Sequence, residues 1–214
     1  MTGERDYDFL LLILSSPSGA GKTTLTRRLE RDFPELSFSV SHTTRKPRTS
    51  ETKGRDYHFV ERTEFEAMVQ AGAFLEWAEV HGNLYGTALS EIERARREGR
   101  RGMIFDIDYQ GARQIRAKIH NVTAVFILPP SLEELERRLR GRASESEEVV
   151  QRRFGVAKVE IEHYGLFDFL VVNDQIDRAF DELRSIIVSE RARRTRRAGL
   201  AELLLRGGTF VGNA

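Results

Sequence analysis

The sequence predicts an α/β fold built on a parallel five-stranded sheet with helices on both faces. Three observations carry this expectation. An uninterrupted apolar run, Phe9-Leu10-Leu11-Leu12-Ile13-Leu14, leads directly into a glycine-rich turn. Further apolar strand candidates recur at 38–40, 103–107, 122–128 and 169–172. Helical patterns alternate with them at 109–118, 132–140, 149–164 and from 176 to about 197. A strand buried on both faces reads as a continuous apolar run, and strands that alternate with helices assemble into a parallel sheet. Ligands of such sheets bind beyond the carboxyl ends of the strands.

Taken in order, the first strand is followed by Ser16-Pro17-Ser18-Gly19-Ala20-Gly21-Lys22-Thr23-Thr24. This stretch fits the phosphate-binding pattern G-x-x-x-x-G-K-[ST], with Ser16 in place of the first glycine. In that pattern backbone N–H groups wrap polyphosphate oxygens, Lys22 reaches the β- and γ-phosphates, and the Thr23 hydroxyl is a Mg²⁺ ligand. The required helix follows, with Leu25 and Leu29 on one face among Thr24, Arg27, Arg28 and Arg31.

From 41 to 88 the texture changes. Short alternating runs at 57–60, 74–78 and 83–87 suggest a small mixed β-layer inserted into the core. Its first part carries Arg45, Lys46, Arg48, Lys53 and Arg55, and Pro47 stiffens the link between Arg45 and Arg48. Two guanidinium forks held in this way suit a monophosphate; a solvated charge run is the other reading. Glu76 stands between Leu75 and Trp77. Strict alternation makes it an ordinary solvent-facing strand residue. The alternative is a base-reading carboxylate, because guanine presents N1–H and its 2-amino group side by side whereas adenine offers an acceptor at N1. Such hydrogen-bonded discrimination reaches on the order of 10⁴.

Asp106 closes the strand candidate opposite the phosphate loop, where a carboxylate holds Mg²⁺ through water; Asp108 points to the same side. Helix N-capping ahead of residue 110 is the alternative for both. Pro129-Pro130 ends the next strand, and Ser131 with Glu134 forms a capping-box pattern. The stretch 140–153, rich in charge and small residues, is a second candidate mobile element. Arginines there can neutralise a transferring phosphoryl group, but spacing does not choose Arg138, Arg142 and Arg153 over Arg137, Arg140 and Arg152. Arg191, Arg193, Arg194, Arg196 and Arg197 read as a solvent-exposed helix face, since no aromatics interleave with them. A short helix and frayed tail are expected from 199.

Composition sets the outer limits. Hydrophobic residues at 40% and charged residues at 31% suit a soluble globular chain, and a net charge of +1 gives no reason to expect nucleic acid as a partner. The absence of cysteine excludes disulfides, thiolate metal sites and cysteine nucleophiles, and fits a reducing cytoplasm. The apolar run at 9–14 is too short for a membrane span or signal segment.

Seven motifs in one order resemble the guanylate kinase family: Ser-Pro-Ser-Gly-Ala-Gly-Lys-Thr at Ser16, Ser-His-Thr-Thr-Arg-Lys-Pro-Arg at Ser41, Gly-Arg-Asp-Tyr-His-Phe at Gly54, Phe-Leu-Glu-Trp-Ala at Phe74, Asn-Leu-Tyr-Gly-Thr at Asn83, Asp-Ile-Asp-Tyr-Gln-Gly at Asp106 and Val-Val-Asn-Asp at Val171. The resemblance implies a P-loop kinase with core 1–40, 89–137 and 154–198, a GMP-binding insertion at 41–88, a lid at 138–153 and a tail at 199–214. It implies Mg²⁺-dependent transfer from ATP to GMP, with dGMP as a second acceptor. ATP is expected on Ser16 to Thr24, Arg142 and Asn173. The acceptor phosphate falls to Arg45, Arg48, Tyr57 and Tyr85, and guanine to Ser41, Glu76, Thr87 and Asp108. Lys22, Arg45, Arg138, Arg142 and Arg153 are the implied catalytic residues. Two rivals stand beside this reading: a peptide-binding module of the same fold without catalysis, and a kinase of a base-free sugar phosphate. Lys22, Thr23, Arg45 and Arg48 argue against the first; Glu76 and Thr87 argue against the second.

Overall fold

The computed structural model describes residues 9–49, 51–80, 82–141 and 146–209. In chain order its elements are β1 (Leu10–Ser15), α1 (Lys22–Asp32), β2 (Leu36–Phe38), β3 (His42–Thr43), β4 (His58–Phe59), α2 (Arg62–Gln70), β5 (Phe74–Val80), β6 (Asn83–Ala88) and α3 (Ser90–Arg97). There follow β7 (Gly102–Asp106), α4 (Tyr109–Lys118), β8 (Thr123–Leu128), α5 (Leu132–Arg140), α6 (Glu147–Glu162), a 3₁₀ turn (Tyr164–Leu166), β9 (Phe169–Val172), α7 (Ile176–Arg191) and α8 (Arg194–Leu205).

Five strands pair in parallel in the order β2-β7-β1-β8-β9. β1, apolar from Leu10 to Leu14, is central because alternate side chains must be buried on opposite faces. Leu10, Leu12 and Leu14 pack with Leu25 and Leu29 of α1 and with Phe180, Leu183 and Ile187 of α7. Leu11 and Ile13 pack on the other face with Met103, Phe105, Ala112 and Ile115. This sandwich fixes the carboxyl end of β1, and with it the start of the phosphate loop.

The insertion is a second, mixed sheet in the order β4-β3-β6-β5, with β3 and β4 parallel and the other pairs antiparallel. Its small core is Phe65, Phe74, Leu84 and Ala88, with the rings of Phe65 and Phe74 stacked at 4.4 Å. Phe65 comes from α2, a helix the sequence pattern did not reveal because its apolar face is only Phe65, Met68 and Val69 among charged neighbours. The more highly charged α3 offers only Ile92 and Ala95 as apolar residues and escapes the pattern for the same reason.

One carboxylate ties the two sheets together where the chain passes between them. Glu91, 4% exposed, accepts from Val40 N at 2.9 Å and from Arg94 Nη2 at 3.0 Å. Arg94 in turn donates to Ser37 Oγ at 3.3 Å and Phe38 O at 3.4 Å. The helix after the insertion's exit, α3, is thus bonded to the chain at the insertion's entry. Beside this bridge His58 Nε2 lies 3.8 Å from Glu91 and the His58 ring lies 4.6 Å from that of His42. Burial, then repulsion from His58, lowers the His42 pKa, so that this ring is neutral at pH 7.

The carboxyl-terminal region departs from expectation. The helix predicted to about 197 ends at Arg191, a turn follows, and the short helix expected from 199 begins earlier, running from Arg194 to Leu205 as α8. Nor is the arginine cluster all solvent-facing. Arg196 is 2% exposed and donates to Phe9 O at 3.0 Å and Asn121 Oδ1 at 3.2 Å, with Glu190 4.0 Å away. Glu190 also accepts from Thr123 Oγ1 at 2.8 Å. The break redirects the chain so that one buried guanidinium meets the start of β1, where Nη1 and Nη2 find acceptors and Glu190 answers its charge.

Replacing Glu91 by Ala leaves Val40 N–H and the Arg94 guanidinium without their shared acceptor. A loss of about 2 kcal/mol is expected. Urea unfolding of the Glu91→Ala variant against the parent measures it.

Candidate active site

The phosphate loop is shaped by two glycines in left-handed conformation, Gly19 at φ 95° and Gly21 at φ 93°. Both are also sealed from behind. A β-carbon on Gly19 would lie 3.0 Å from Leu135 and Leu139 of α5, and one on Gly21 would run into the Asn173 amide. Asn173 is buried and its Nδ2 donates to Ala20 O at 2.7 Å, while its own N–H bonds to Leu128 O at 2.8 Å. Arg138 adds a second brace, Nη2 donating to Asn173 O at 3.0 Å and Nη1 to Ala20 O at 3.4 Å. Ser16, where a glycine was expected, turns its hydroxyl onto Pro17 O at 3.1 Å.

The capping pattern at Ser131 is half realised. Ser131 Oγ accepts from Glu134 N at 3.1 Å. The Glu134 carboxylate does not return to the cap; it pairs with Arg137 and with Arg138 Nε, each at 2.7 Å, and those bonds pull its pKa down to about 2. Glu134 therefore aims Arg138 at the loop. On the next helix Arg153 Nη2 donates to Ser18 Oγ at 2.7 Å. Arg142 lies outside the described residues.

Lys22 opens α1 and pairs with Asp106 Oδ1 across the cleft. These two, with Thr23, Ser41, Glu51, Arg55 and Tyr57, line a cavity of about 480 Å³ between loop and insertion. Among the described residues no three His, Cys, Asp or Glu side chains could hold a metal by themselves. A lone hydroxyl and a lone carboxylate, Thr23 and Asp106, suit Mg²⁺, which keeps several waters and takes phosphate oxygens.

Opposite the loop, Arg45, Tyr57 and Tyr85 converge. The Arg45 guanidinium lies 5.3 Å from the Tyr57 ring centroid, and the two tyrosine rings meet edge to face at 6.0 Å. Burial foremost raises the Tyr57 pKa, so its hydroxyl stays a donor at pH 7. Glu51, which the sequence reading passed over, joins the two arginine positions. Its Oε1 accepts from Arg45 Nη2 at 2.7 Å and its Oε2 from Arg48 N at 2.8 Å. The Arg45 bond first, then that from Arg48 N–H, keeps Glu51 below the usual carboxylate range.

Glu76 is not the solvent-facing residue that strict alternation predicts. Phe74, Leu75 and Glu76 are buried in succession, and Trp77 is 39% exposed, because the β5–β6 register shifts between Phe74 and Glu76. A bulge of this kind breaks the two-residue period and re-aims a side chain. It sets Glu76 opposite Thr87, with Ser41 Oγ 3.3 Å from Thr87 Oγ1. Glu76, Ser41, Tyr57, Tyr85, Asp106 and Asp108 share a 200 Å³ cavity.

One face of α4 supports this arrangement. A β-carbon on Gly111 would come 2.7 Å from Glu76 Oε2, Gln114 brackets the Trp77 backbone at 3.2 and 2.7 Å, and Lys118 Nζ donates to Leu75 O at 2.6 Å. Asp108 itself caps α4, Oδ1 accepting from Gln110 N and Gly111 N, both at 2.9 Å. Its position at the pocket and its capping role therefore coexist.

A family model described as guanylate kinase matches residues 10–190. The chain belongs to the guanylate kinase family. It is 52% identical over 196 residues to a guanylate kinase of Rhizobium meliloti, covering 91% of this chain and 89% of that one. A guanylate kinase of Nitratidesulfovibrio vulgaris is 49% identical over 203 residues, covering 95% and 98%. The crystal structure of guanylate kinase from Anaplasma phagocytophilum superposes with a TM-score of 0.73 at 34% identity, covering 94% of this chain and 96% of that one. The fold is accordingly that of a P-loop kinase with a mixed-sheet insertion. Among the described residues no helix is long and apolar enough to cross a membrane.

In this guanylate kinase family member the Glu76 carboxylate, which lines the smaller cavity, is held at a cost to stability. Burial, more than the Asp108 charge and against the Thr87 bonds, raises Glu76 to a pKa of about 7. The native state then binds a proton that the unfolded chain releases near pH 4.5, so stability is fullest below 4.5 and falls as pH rises through 7. Between pH 5 and pH 8 this amounts to roughly 2–3 kcal/mol. Glu76→Gln is expected to abolish that part of the pH dependence, which urea titrations at the two pH values would register.

Proposed function

We propose that this chain transfers the γ-phosphoryl group of Mg²⁺-bound ATP to GMP, yielding ADP and GDP, and accepts dGMP in place of GMP. The observation that carries this reading is the buried Glu76 carboxylate, opposite Thr87 and in a cavity that shares Ser41, Tyr57 and Asp106 with the one lined by Lys22 and Thr23. Family membership supports the same donor and acceptor.

In this reading Glu76 accepts from guanine N1–H and the 2-amino group, and Thr87 and Ser41 present hydroxyls to the remaining base edge. Arg45, Arg48, Tyr57 and Tyr85 hold the acceptor phosphate, with Asp108 beside the base. Glu51 keeps the Arg45 fork in place until a phosphate arrives. The loop from Ser16 to Thr24 carries the donor phosphates, while Asn173 serves it as a brace from behind. Arg142 is assigned to the donor side with the other arginines. Thr23, and Asp106 through water, would hold Mg²⁺, which when bound neutralises charge on the β- and γ-phosphate oxygens.

A lone pair on the acceptor phosphate oxygen forms the new bond to the γ-phosphorus as the bond to the bridging oxygen of ADP breaks. A nucleoside monophosphate has its second pKa near 6, so at neutral pH the attacking oxygen carries no proton and no general base is needed. The chain's task is to bring two anions into line and offset their repulsion with Lys22, Arg138 and Arg153.

A coupled assay of ADP release across GMP, dGMP, AMP and ribose 5-phosphate tests the assignment. GMP and dGMP are expected to turn over, and equal rates with AMP would sink the base-reading role of Glu76. Lys22→Ala should lose on the order of 10² to 10³ in kcat while melting near the parent temperature. The kcat/KM for GMP should carry an acid limb at about 7 from Glu76 and another near 6 from the acceptor phosphate. In Glu76→Gln the upper limb is expected to vanish and the lower one to stay.

A further inference from the structure

Helix α6 grips the phosphate loop at a single residue from two directions. Arg153 Nη2 donates to Ser18 Oγ at 2.7 Å, and Ser18 N donates to Glu160 Oε2 at 3.1 Å. Seven residues separate Arg153 from Glu160, two helical turns, so both lie on one face about 10 Å apart along the axis. Between them on that face Ala157 is fully buried in the cluster with Leu135 and Leu139, the side chains that also close the space behind Gly19. At its carboxyl end α6 is fixed again, the His163 ring stacking on Tyr109 at 3.9 Å. Tyr109 is the first residue of α4, the helix that carries Gly111 beneath Glu76.

Glu160 is thus placed where the donor loop and the base-side cavity meet, and it lines that cavity with Glu76 and Asp108. A carboxylate there is held against resistance. Burial raises its pKa, Asp108 adds to the rise, and the Ser18 N–H and the Lys22 charge act the other way. Its Oε2 is already engaged by the Ser18 N–H of the loop.

We infer that Glu160 is a positioning residue for phosphoryl transfer: by holding Ser18 N–H it locks α6 to the phosphate loop and so sets where the Arg153 guanidinium stands over the reacting phosphates. The inference rests on the kinase reading above. In this arrangement Glu160 touches neither nucleotide; it acts through Ser18 on Arg153. Without it Ser18 retains one of its two ties to α6, and the loop residue to which Arg153 is bonded loses its backbone anchor on that helix.

Three substitutions separate reach from charge. Gln keeps an oxygen at the distance Ser18 N–H requires, Asp keeps the charge but withdraws it by one methylene, and Ala removes both. Glu160→Ala and Glu160→Asp are each expected to lower kcat about 10- to 100-fold with both KM values within about twofold of the parent, and Glu160→Gln to restore kcat to within about threefold. Should Ala fail to fold, as judged by its melting transition, the Asp and Gln pair decides the matter. Asp more active than Gln would overturn the inference in favour of a role for the charge itself. A loss confined to the KM for GMP would overturn it in favour of substrate contact. The second arm is a double-mutant cycle: in an Arg153→Ala background Glu160→Asp should cost less than about twofold, and an undiminished cost would refute action through Arg153. Absence of ADP release by the parent protein with any acceptor would instead defeat the kinase reading, a result distinct from each of these.

Discussion

The rest of the site depends on the close packing behind the phosphate loop. Gly19 and Gly21 adopt left-handed backbone and also press against Leu135, Leu139 and Asn173 so tightly that a β-carbon has no room. Conformation and contact thus make the same demand at both positions. Because the loop is sealed by α5 and by Asn173, whatever moves those elements moves the N–H groups facing the cleft. Arg138, steered by Glu134, and Arg153, on α6, are attached to the back or edge of this loop. These two guanidinium groups are therefore positioned by the same packing that shapes the loop.

The Glu76 side of the cleft follows a different logic, in which stability is given up for a desolvated charge. A carboxylate at Glu76 with a pKa of about 7 is a poor core residue. It is kept by Gly111 below it, by Thr87 across from it and by Lys118 pinning the strand that carries it. Buried charged groups of this kind cluster at functional sites because function needs a desolvated, oriented charge that folding alone would discard. Glu51 is the milder counterpart, a carboxylate that satisfies Arg45 and Arg48 N–H where an anion would sit.

Much of this was legible in the chain. The apolar run of β1 followed by a glycine turn and Lys22-Thr23 could hardly form anything but a strand, a phosphate loop and a helix, and the β/α alternation beyond it gave the parallel sheet. Elements with weak apolar faces were not legible: α2 and α3 carry few apolar residues and hold their places by one or two buried residues each. The end of α7 was missed because nothing local stops the helix at Arg191; the stop serves Arg196, whose partners Phe9 and Asn121 are far away in sequence. Period-two reasoning failed at Glu76 for a related reason, since a bulge is a property of the strand pair and not of either strand.

By itself the sequence determined which chemistry the chain can carry, because backbone conformation, charge and donor type are local properties: glycines where the loop turns, a lysine and a hydroxyl at the helix start, arginines beside the acceptor pocket. Only the tertiary structure decided which of those groups act together. It selected Arg138 and Arg153 from a run of similar arginines by giving them carbonyl and hydroxyl partners on the loop, buried Glu76 through a register shift, and brought Glu51 and Glu160 to contacts that no motif marks. Those choices arise from packing between elements distant in the chain, where burial and hydrogen-bond geometry, not residue identity, fix the outcome.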